Sequence, residues 1–220
     1  MVYLVRFLVS YMIKTILFDF DGVILDSMKI KGDGFVELFK GYPESAIKQL
    51  ESYHYTNGGI SRFEKIRYFF NTVLKKEILE EDVQDLAKKF SMIIEKNLYN
   101  KDNLIEDSVD FIKKNYQNYT FHIVSAAENN ELNKLCQYLN LLGYFITVEG
   151  SPTKKTILVK NIIDKYHYNK NETILIGDSL SDFETANENE LAFWGYNNED
   201  LRDRSDKYID SFKSLDSVSF

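Results

Sequence analysis

Short apolar runs alternate with longer, helix-patterned stretches along most of this chain. Strands are expected near Lys14 to Phe18, Tyr119 to Val124, Tyr144 to Val148, Glu172 to Ile176 and Leu191 to Trp194, each a compact aliphatic or aromatic run bounded by polar residues. The segments between the later four have helical patterning. One of them, Asn129 to Asn140, carries Cys136, expected to be half-buried. This β-then-α alternation predicts an α/β fold with a doubly wound, Rossmann-like parallel sheet. The gap between the first two strands is far too long for a single crossover helix. Within it Val83, Leu86, Ala87, Phe90, Ile93 and Ile94 recur at steps of three and four. An inserted all-helical domain over residues 28–101 is the economical reading, leaving 12–27 and 102–220 as the core.

How the apolar runs end carries the chemistry. The run Thr15 to Phe18 stops in Asp19 and Asp21, one residue apart, with Gly22 next. A buried strand gains nothing from carboxylates, which are costly to desolvate unless paired or bound to a cation. Their expected place is the carboxyl end of a strand, where an open parallel sheet presents its ligand crevice. Such a pair suits a phosphate and a metal: one carboxylate attacks or ligates, the other handles the proton on the departing oxygen. Three other runs end comparably: Phe121 to Val124 in Ser125, Tyr144 to Val148 in Gly150-Ser151-Pro152-Thr153-Lys154-Lys155, and Thr173 to Ile176 in Gly177-Asp178-Ser179-Leu180-Ser181-Asp182. In order, four strand ends offer two acids, a serine, a lysine and two acids.

This ordered set resembles the haloacid dehalogenase-like hydrolase superfamily, which consists mostly of phosphatases, and the match spans nearly the whole chain. The resemblance implies that Asp19 attacks phosphorus to form an aspartyl phosphate, while Asp21 protonates the leaving oxygen and later deprotonates water. It implies Mg²⁺ held by the Asp19 carboxylate, the Asp21 main-chain carbonyl and the Asp178 carboxylate, with Asp182 ligating directly or through a neighbour. Ser125, the amide of Ala126, Gly22 and a lysine would complete the phosphate cage. The GSPxxK form of the lysine motif favours Lys155, with Lys154 off register and solvated. A true haloacid dehalogenase needs neither the second aspartate nor magnesium, so Asp21 with Asp178 speaks against that activity. A binding module without catalysis would more plausibly have lost Asp19 or Asp178.

The resemblance also makes the insertion a cap over the crevice, where specificity is expected. In His54-Tyr55-Thr56-Asn57-Gly58-Gly59-Ile60-Ser61-Arg62-Phe63-Glu64-Lys65, Ser61 is placed as an N-cap with Glu64 completing a capping box, and Arg62 and Lys65 share a helix face. Two readings of these cations stand open: a solvated first turn, or contacts to an anion, since cations there oppose the helix dipole. The segment resembles the cap loop of beta-phosphoglucomutase-like members, which implies substrate contacts from Arg62, Lys65 and His54. A small sugar phosphate is the leading substrate class, with phosphoglycolate as runner-up. Phosphotransfer of the beta-phosphoglucomutase kind is a further alternative. The histidine expected after the first motif for that activity is replaced, with Lys31 the nearest positional match. His122 and His167 have no comparable context.

Composition narrows the rest. The 220-residue chain is 44% hydrophobic, enough for a substantial core, and its net charge of −7 argues against a nucleic-acid backbone as partner. Cys136 is the only cysteine, so no intrachain disulfide can form and a reducing, cytoplasmic compartment fits. The expected partner is a small phosphorylated metabolite, with neither membrane nor nucleic acid, and the chain is expected to be a monomer or weak homodimer. Residues 1–11 are apolar apart from Arg6 and Ser10, but extending the run to membrane-spanning length would enclose Arg6, Lys14 and Asp19. No small-residue cleavage site precedes the first strand. The segment is read as an N-terminal extension ahead of a start at Met12.

Overall fold

The computed structural model describes residues 12–215, so the reading of residues 1–11 lies outside the described residues. Six parallel strands form one sheet in the order β3-β2-β1-β4-β5-β6, with β1 Thr15–Phe18, β2 Thr120–Glu128, β3 Thr147–Ser151, β4 Thr173–Gly177, β5 Ala192–Tyr196 and β6 Lys207–Ile209. The later helices are α5 Glu106–Asn115, α6 Asn129–Tyr138, α7 Lys155–Tyr166 and α8 Leu180–Glu188. From β1 the chain winds outward through β2 to β3, then α7 carries it back across the sheet to β4. The winding therefore reverses between β1 and β4, and a doubly wound sheet opens its ligand crevice at the carboxyl ends on either side of such a reversal.

The pleat divides the core in two. Ile16, Phe18, Phe121, Ile123, Ile174 and Ile176 pack together with Val109, Phe111 and Ile112 of α5 and with Phe212. Leu17, Val124, Leu175 and Phe193 point the other way, against Val159, Ile162 and Ile163 of α7 and Ala186 of α8. Covered on both faces, β1 and β4 are buried throughout and mostly aliphatic or aromatic after their leading threonines, as central parallel strands tend to be.

Between β1 and β2 lie α1 Met28–Leu38, α2 Glu44–Thr56, α3 Arg62–Tyr68 with a π-helical continuation to Val73, and α4 Glu80–Leu98. The apolar stripe on α4 buries Val83, Ala87, Phe90, Ile94 and Leu98; Phe35 of α1 packs onto the ring of Phe90, and Phe39, just past the end of α1, onto that of Phe69. The two chain segments joining this helical insertion to the sheet run side by side: Leu25 bridges Leu104, Asp26 N–H donates to Asn103 O and Ile105 N–H donates to Ile24 O.

Three sequence expectations need correction. The third strand runs over Thr147–Ser151 and not Tyr144 to Val148, because Leu142–Tyr144 close a 3₁₀ turn in front of it. The short strand β6 was not foreseen. Cys136 is fully buried in the core beneath α6 and not half-buried, and burial pushes its thiol up to about 12. Among the described residues no helix is long and apolar enough to cross a membrane.

Candidate active site

Four strand ends converge at the winding reversal. Asp19 follows β1 directly, and its N–H donates to Ile176 O of β4, so the chain leaves the sheet still tied to its neighbour. Asp178 follows β4, and carboxylate oxygens of Asp19, Asp178 and Asp182 lie within 4.8 Å of one another. The turn between Asp19 and Asp178 admits no side chain at Gly22: its φ is +77°, and a Cβ there would meet Asp178 Oδ2 at 1.9 Å.

Lys155, the first residue of α7, reaches into this cluster. Its Nζ lies 2.8 Å from Asp19 Oδ1 and 2.5 Å from Asp182 Oδ1, with every partner nearly inaccessible to water. Lys154 is exposed, as expected. Burial would lower the Lys155 pKa, but Asp182 and Asp19 hold it above its ordinary value. Asp182 Oδ2 meanwhile accepts from Ser179 Oγ at 2.6 Å and Ser179 N at 3.2 Å, completing a capping box at the start of α8. Both Asp182 oxygens are thus engaged by the protein.

Asp19 is different. Its Oδ1 is buried and, apart from the ion pair to Lys155, has no directed hydrogen-bond donor. Burial, then the neighbouring Asp182 carboxylate, raises its pKa to about 7, against the opposing pull of Lys155. Asp178 is raised well above the usual carboxylate range by burial and by Asp19 and Asp182. Three carboxylates, Asp19 and Asp182 buried and Asp178 partly so, face one ammonium and leave an excess of negative charge, and hard oxygen donors at this spacing suit a small divalent cation. The residues present therefore fit the magnesium that the sequence led one to expect.

Asp21 stands on the insertion side of the crevice. Ser27 Oγ donates to its Oδ1 and Lys31 Nζ, from α1, pairs with its Oδ2. Burial alone would raise its pKa, but the Lys31 ammonium and the two hydrogen bonds hold it below the ordinary value. At the end of the apolar part of β2, Ser125 is fully buried and its Oγ accepts from Ala127 N at 3.1 Å, which leaves its own proton to donate.

The insertion residues are brought together, though not as a solvated turn: Arg62, Lys65 and His54 are all buried. Ser61 does cap α3, accepting from Glu64 N at 3.3 Å, but the Glu64 carboxylate meets the Ser61 hydroxyl at 3.2 Å and not its backbone N–H. Arg62 is engaged by Glu131 of α6 through both terminal nitrogens and by Ser91 Oγ at 2.5 Å. Lys65 Nζ donates to His54 Nδ1 at 3.0 Å, and His54 Nε2 donates to Met28 O at 2.9 Å. Burial and the Lys65 ammonium push His54 down to about 4, while burial and then Lys31 lower Lys65 to about 7. No carboxylate forms an ion pair with Lys65 among the described residues. These side chains and Asp21 wall a chamber of about 20 Å³. A wider groove of about 360 Å³ opens on the Lys155 side, past Ser61 and Arg67 of the insertion and Thr153, Lys154 and Ser181 of the core.

Several contributors were not found in the sequence. Asn198 Nδ2 donates to Asp178 O at 2.8 Å and Asn197 Nδ2 to Gly22 O at 3.0 Å, stitching the end of β5 to both acidic turns. Their signal was available: paired amides just past an apolar run, at the same strand-end position as the other site residues. Ser179 also carried one, since it stands three residues before Asp182 at capping-box spacing, whereas Ser27 and Glu131 gave none.

Comparison with known proteins bears on the fold and the family. Similar solved structures include beta-phosphoglucomutase from Clostridium difficile, at 18% identity and a TM-score of 0.77 over 93% of both chains. CbbY from Rhodobacter sphaeroides, in complex with xylulose-(1,5)bisphosphate, has 16% identity and a TM-score of 0.73 over 93% of this chain and 96% of its own. YfnB from Bacillus subtilis, a HAD-hydrolase bound to magnesium, has 21% identity and a TM-score of 0.67 over 93% of this chain and 97% of its own. At these identities the likeness shows the fold. No curated protein sequence matches the chain. The family model of the haloacid dehalogenase-like hydrolases matches residues 16–195, nearly the whole described span, and the chain belongs to that family.

Proposed function

We propose that the chain is a Mg²⁺-dependent phosphomonoester hydrolase acting through an aspartyl phosphate on Asp19, with a small sugar phosphate as substrate. The observation that carries this reading is Asp19 itself, a buried carboxylate at the β1 end whose Oδ1 lacks a directed hydrogen bond and faces Lys155. A carboxylate in that state is available to attack. Its oxygen would form a bond to phosphorus as the bond from phosphorus to the ester oxygen breaks, and Asp21 would deliver a proton to the departing oxygen. In the second step Asp21 would take a proton from water as that water attacks the aspartyl phosphate; the Lys31 pair favours the ionised form this step needs. Lys155, the Ser125 hydroxyl and the Ala126 amide would offset charge on the transferring group.

Magnesium would be held by the Asp19 and Asp178 carboxylates and the Asp21 main-chain carbonyl, and supplies charge neutralisation at the phosphoryl oxygens when bound. Asp182, with both oxygens engaged, would act by fixing Lys155 and α8. Gly22 would keep the turn open beside Asp178. We take residues 28–101 to be a cap domain on a core of 12–27 and 102–220, with Arg62, Lys65 and His54 lining its face toward substrate. The protein would work as a monomer or weak homodimer in the cytoplasm on a small phosphorylated metabolite, and its net charge of −7 disfavours nucleic acid.

The structural likeness to beta-phosphoglucomutase and to CbbY with a sugar bisphosphate supports the sugar phosphate. A second reading, phosphoglycolate, is favoured by Lys65, a chamber ammonium that forms no ion pair with a carboxylate among the described residues and could pair with a substrate carboxylate. Phosphotransfer to a sugar is the third, and Lys31 in place of the expected histidine weighs against it.

The test is phosphate release from a panel of phosphomonoesters with and without Mg²⁺, using the parent and Asp19→Asn. Turnover is expected only with the metal and is expected to vanish in the variant with the fold retained. Substantial turnover by Asp19→Asn would remove the covalent mechanism.

A further inference from the structure

The chamber beside Asp21 measures about 20 Å³, room for about one water molecule. The leaving group of any phosphomonoester is larger than that, so it does not fit beside Asp21 as these side chains stand, and a shift of the insertion away from the core would make room for it on the acid side. We infer that the buried Arg62–Glu131 pair is the clasp that holds the insertion closed, and that its parting admits the leaving group. The inference rests on the phosphatase reading only for what enters.

Few side-chain polar contacts join the insertion to the crevice side of the core. Lys31 pairs with Asp21, Ser181 Oγ donates weakly to Gly59 O at 3.4 Å, and Arg62 meets Glu131 through a two-pronged pair. Of these, only the last is a charge pair with neither partner assigned to the phosphoryl-transfer step itself. The guanidinium belongs firmly to the insertion: Ser91 Oγ of α4 accepts from it at 2.5 Å and the Phe90 ring lies 4.9 Å beneath. Its remaining donors point at the core. Glu131 sits in the first turn of α6, where the helix dipole favours an anion. Burial would raise its pKa, but Arg62 holds it below the ordinary value. With side chains only 4% and 11% exposed, removing one partner strands a buried charge, whereas parting the two surfaces returns both charges to water. A pair of this kind is firm when closed and costs little once opened, as a two-state contact should.

The clasp is tested on the full chain by hydrogen exchange of the parent, Glu131→Gln, Arg62→Gln and the double variant, alongside phosphate-release kinetics. Each single variant is expected to raise exchange about tenfold in residues 58–66 and 125–131 while β4 is unchanged, and the double variant is expected to add little more. Both single variants should move KM in the same direction. If Glu131→Gln fails to fold, Glu131→Asp, which keeps the charge but shortens its reach, is expected to give a smaller rise confined to the same segments. Exchange rising in β4 in proportion would make the pair a structural one and overturn the clasp, as would unchanged exchange. Opposite KM shifts, tighter for Glu131→Gln and weaker for Arg62→Gln, would make Arg62 a substrate anchor with which Glu131 competes, and would also overturn it. Localised exchange in a protein that releases no phosphate would leave the clasp standing and remove the proposed function.

Discussion

His122 lies midway along β2 with both ring nitrogens used, Nδ1 at 2.8 Å from Thr147 Oγ1 and Nε2 at 2.9 Å from the Tyr168 hydroxyl. Burial and then the nearby Lys165 ammonium push its pKa down to about 4. A histidine held neutral in the fold contributes stability that is fully present above its unfolded pKa of about 6.5 and is lost as pH falls toward 4. His122→Gln should remove this term, so the pH slope of unfolding free energy between those limits should differ from the parent's by about 1.4 kcal/mol per pH unit; urea titrations at several pH values would measure it. At this scale the sequence was readable where a residue broke a rule. Asp19 and Asp178 stood out because a carboxylate ending an apolar strand must have a reason. Lys31 and Glu131 did not, because a charged residue on a helix is ordinarily solvated, and only the packing of α1 and α6 against other elements shows that these two are buried.

Helix α8 begins with a residue doing two jobs. Asp182 closes the capping box with Ser179 and holds Lys155 at 2.5 Å. Asp182→Asn keeps an oxygen for the cap but gives up the charge facing Lys155. We expect turnover to fall about tenfold or more while the melting temperature changes little, and phosphate release with thermal unfolding on the same preparation would separate the two effects. Loss of folding cooperativity would mean that the cap role dominates. Element boundaries show where local pattern stops being informative. Tyr144 and Phe145 made the third run look like a strand, yet Tyr144 closes the 3₁₀ turn and packs edge-on against Tyr116. The strand itself follows its partner β2 out to the paired Glu128 and Ser151, through Glu149 and Gly150, which no strand propensity recommends. Strand β6 pairs along three residues, too few for an alternation to be seen.

For the molecule as a whole, a cation bound at the carboxylate cluster would tie folding to metal concentration. Anything that binds the native state alone stabilises it by mass action, about 2.7 kcal/mol at a concentration one hundred times Kd. Mg²⁺ is therefore expected to raise the melting temperature by several degrees, with Na⁺ at equal ionic strength giving no such rise. Gly22→Ala is expected to abolish the response, since its Cβ would occupy the place of Asp178 Oδ2. An undiminished shift in that variant, followed by differential scanning calorimetry, would put the cation elsewhere. Overall architecture was the most legible level, because the order of strands and the length of the gap after the first are properties of the whole chain and survive local misplacement. A cap over the crevice was implied by the resemblance, but the side chains that join insertion to core, Lys31 with Asp21 and Arg62 with Glu131, were not legible, since each pair joins residues brought together only by the fold.

The paired segments at Leu25 and Leu104 carry one more consequence. Backbone hydrogen bonds hold the points where the chain departs for residues 28–101 and returns from them at neighbouring-strand spacing. The cost of closing that long excursion is therefore met at its base, and grows only slowly with the length of whatever is strung between. Shorter or longer helical sets could be exchanged at this junction without moving Asp19 or Asp21, which would let a lineage of such chains change what it recognises far faster than what it does.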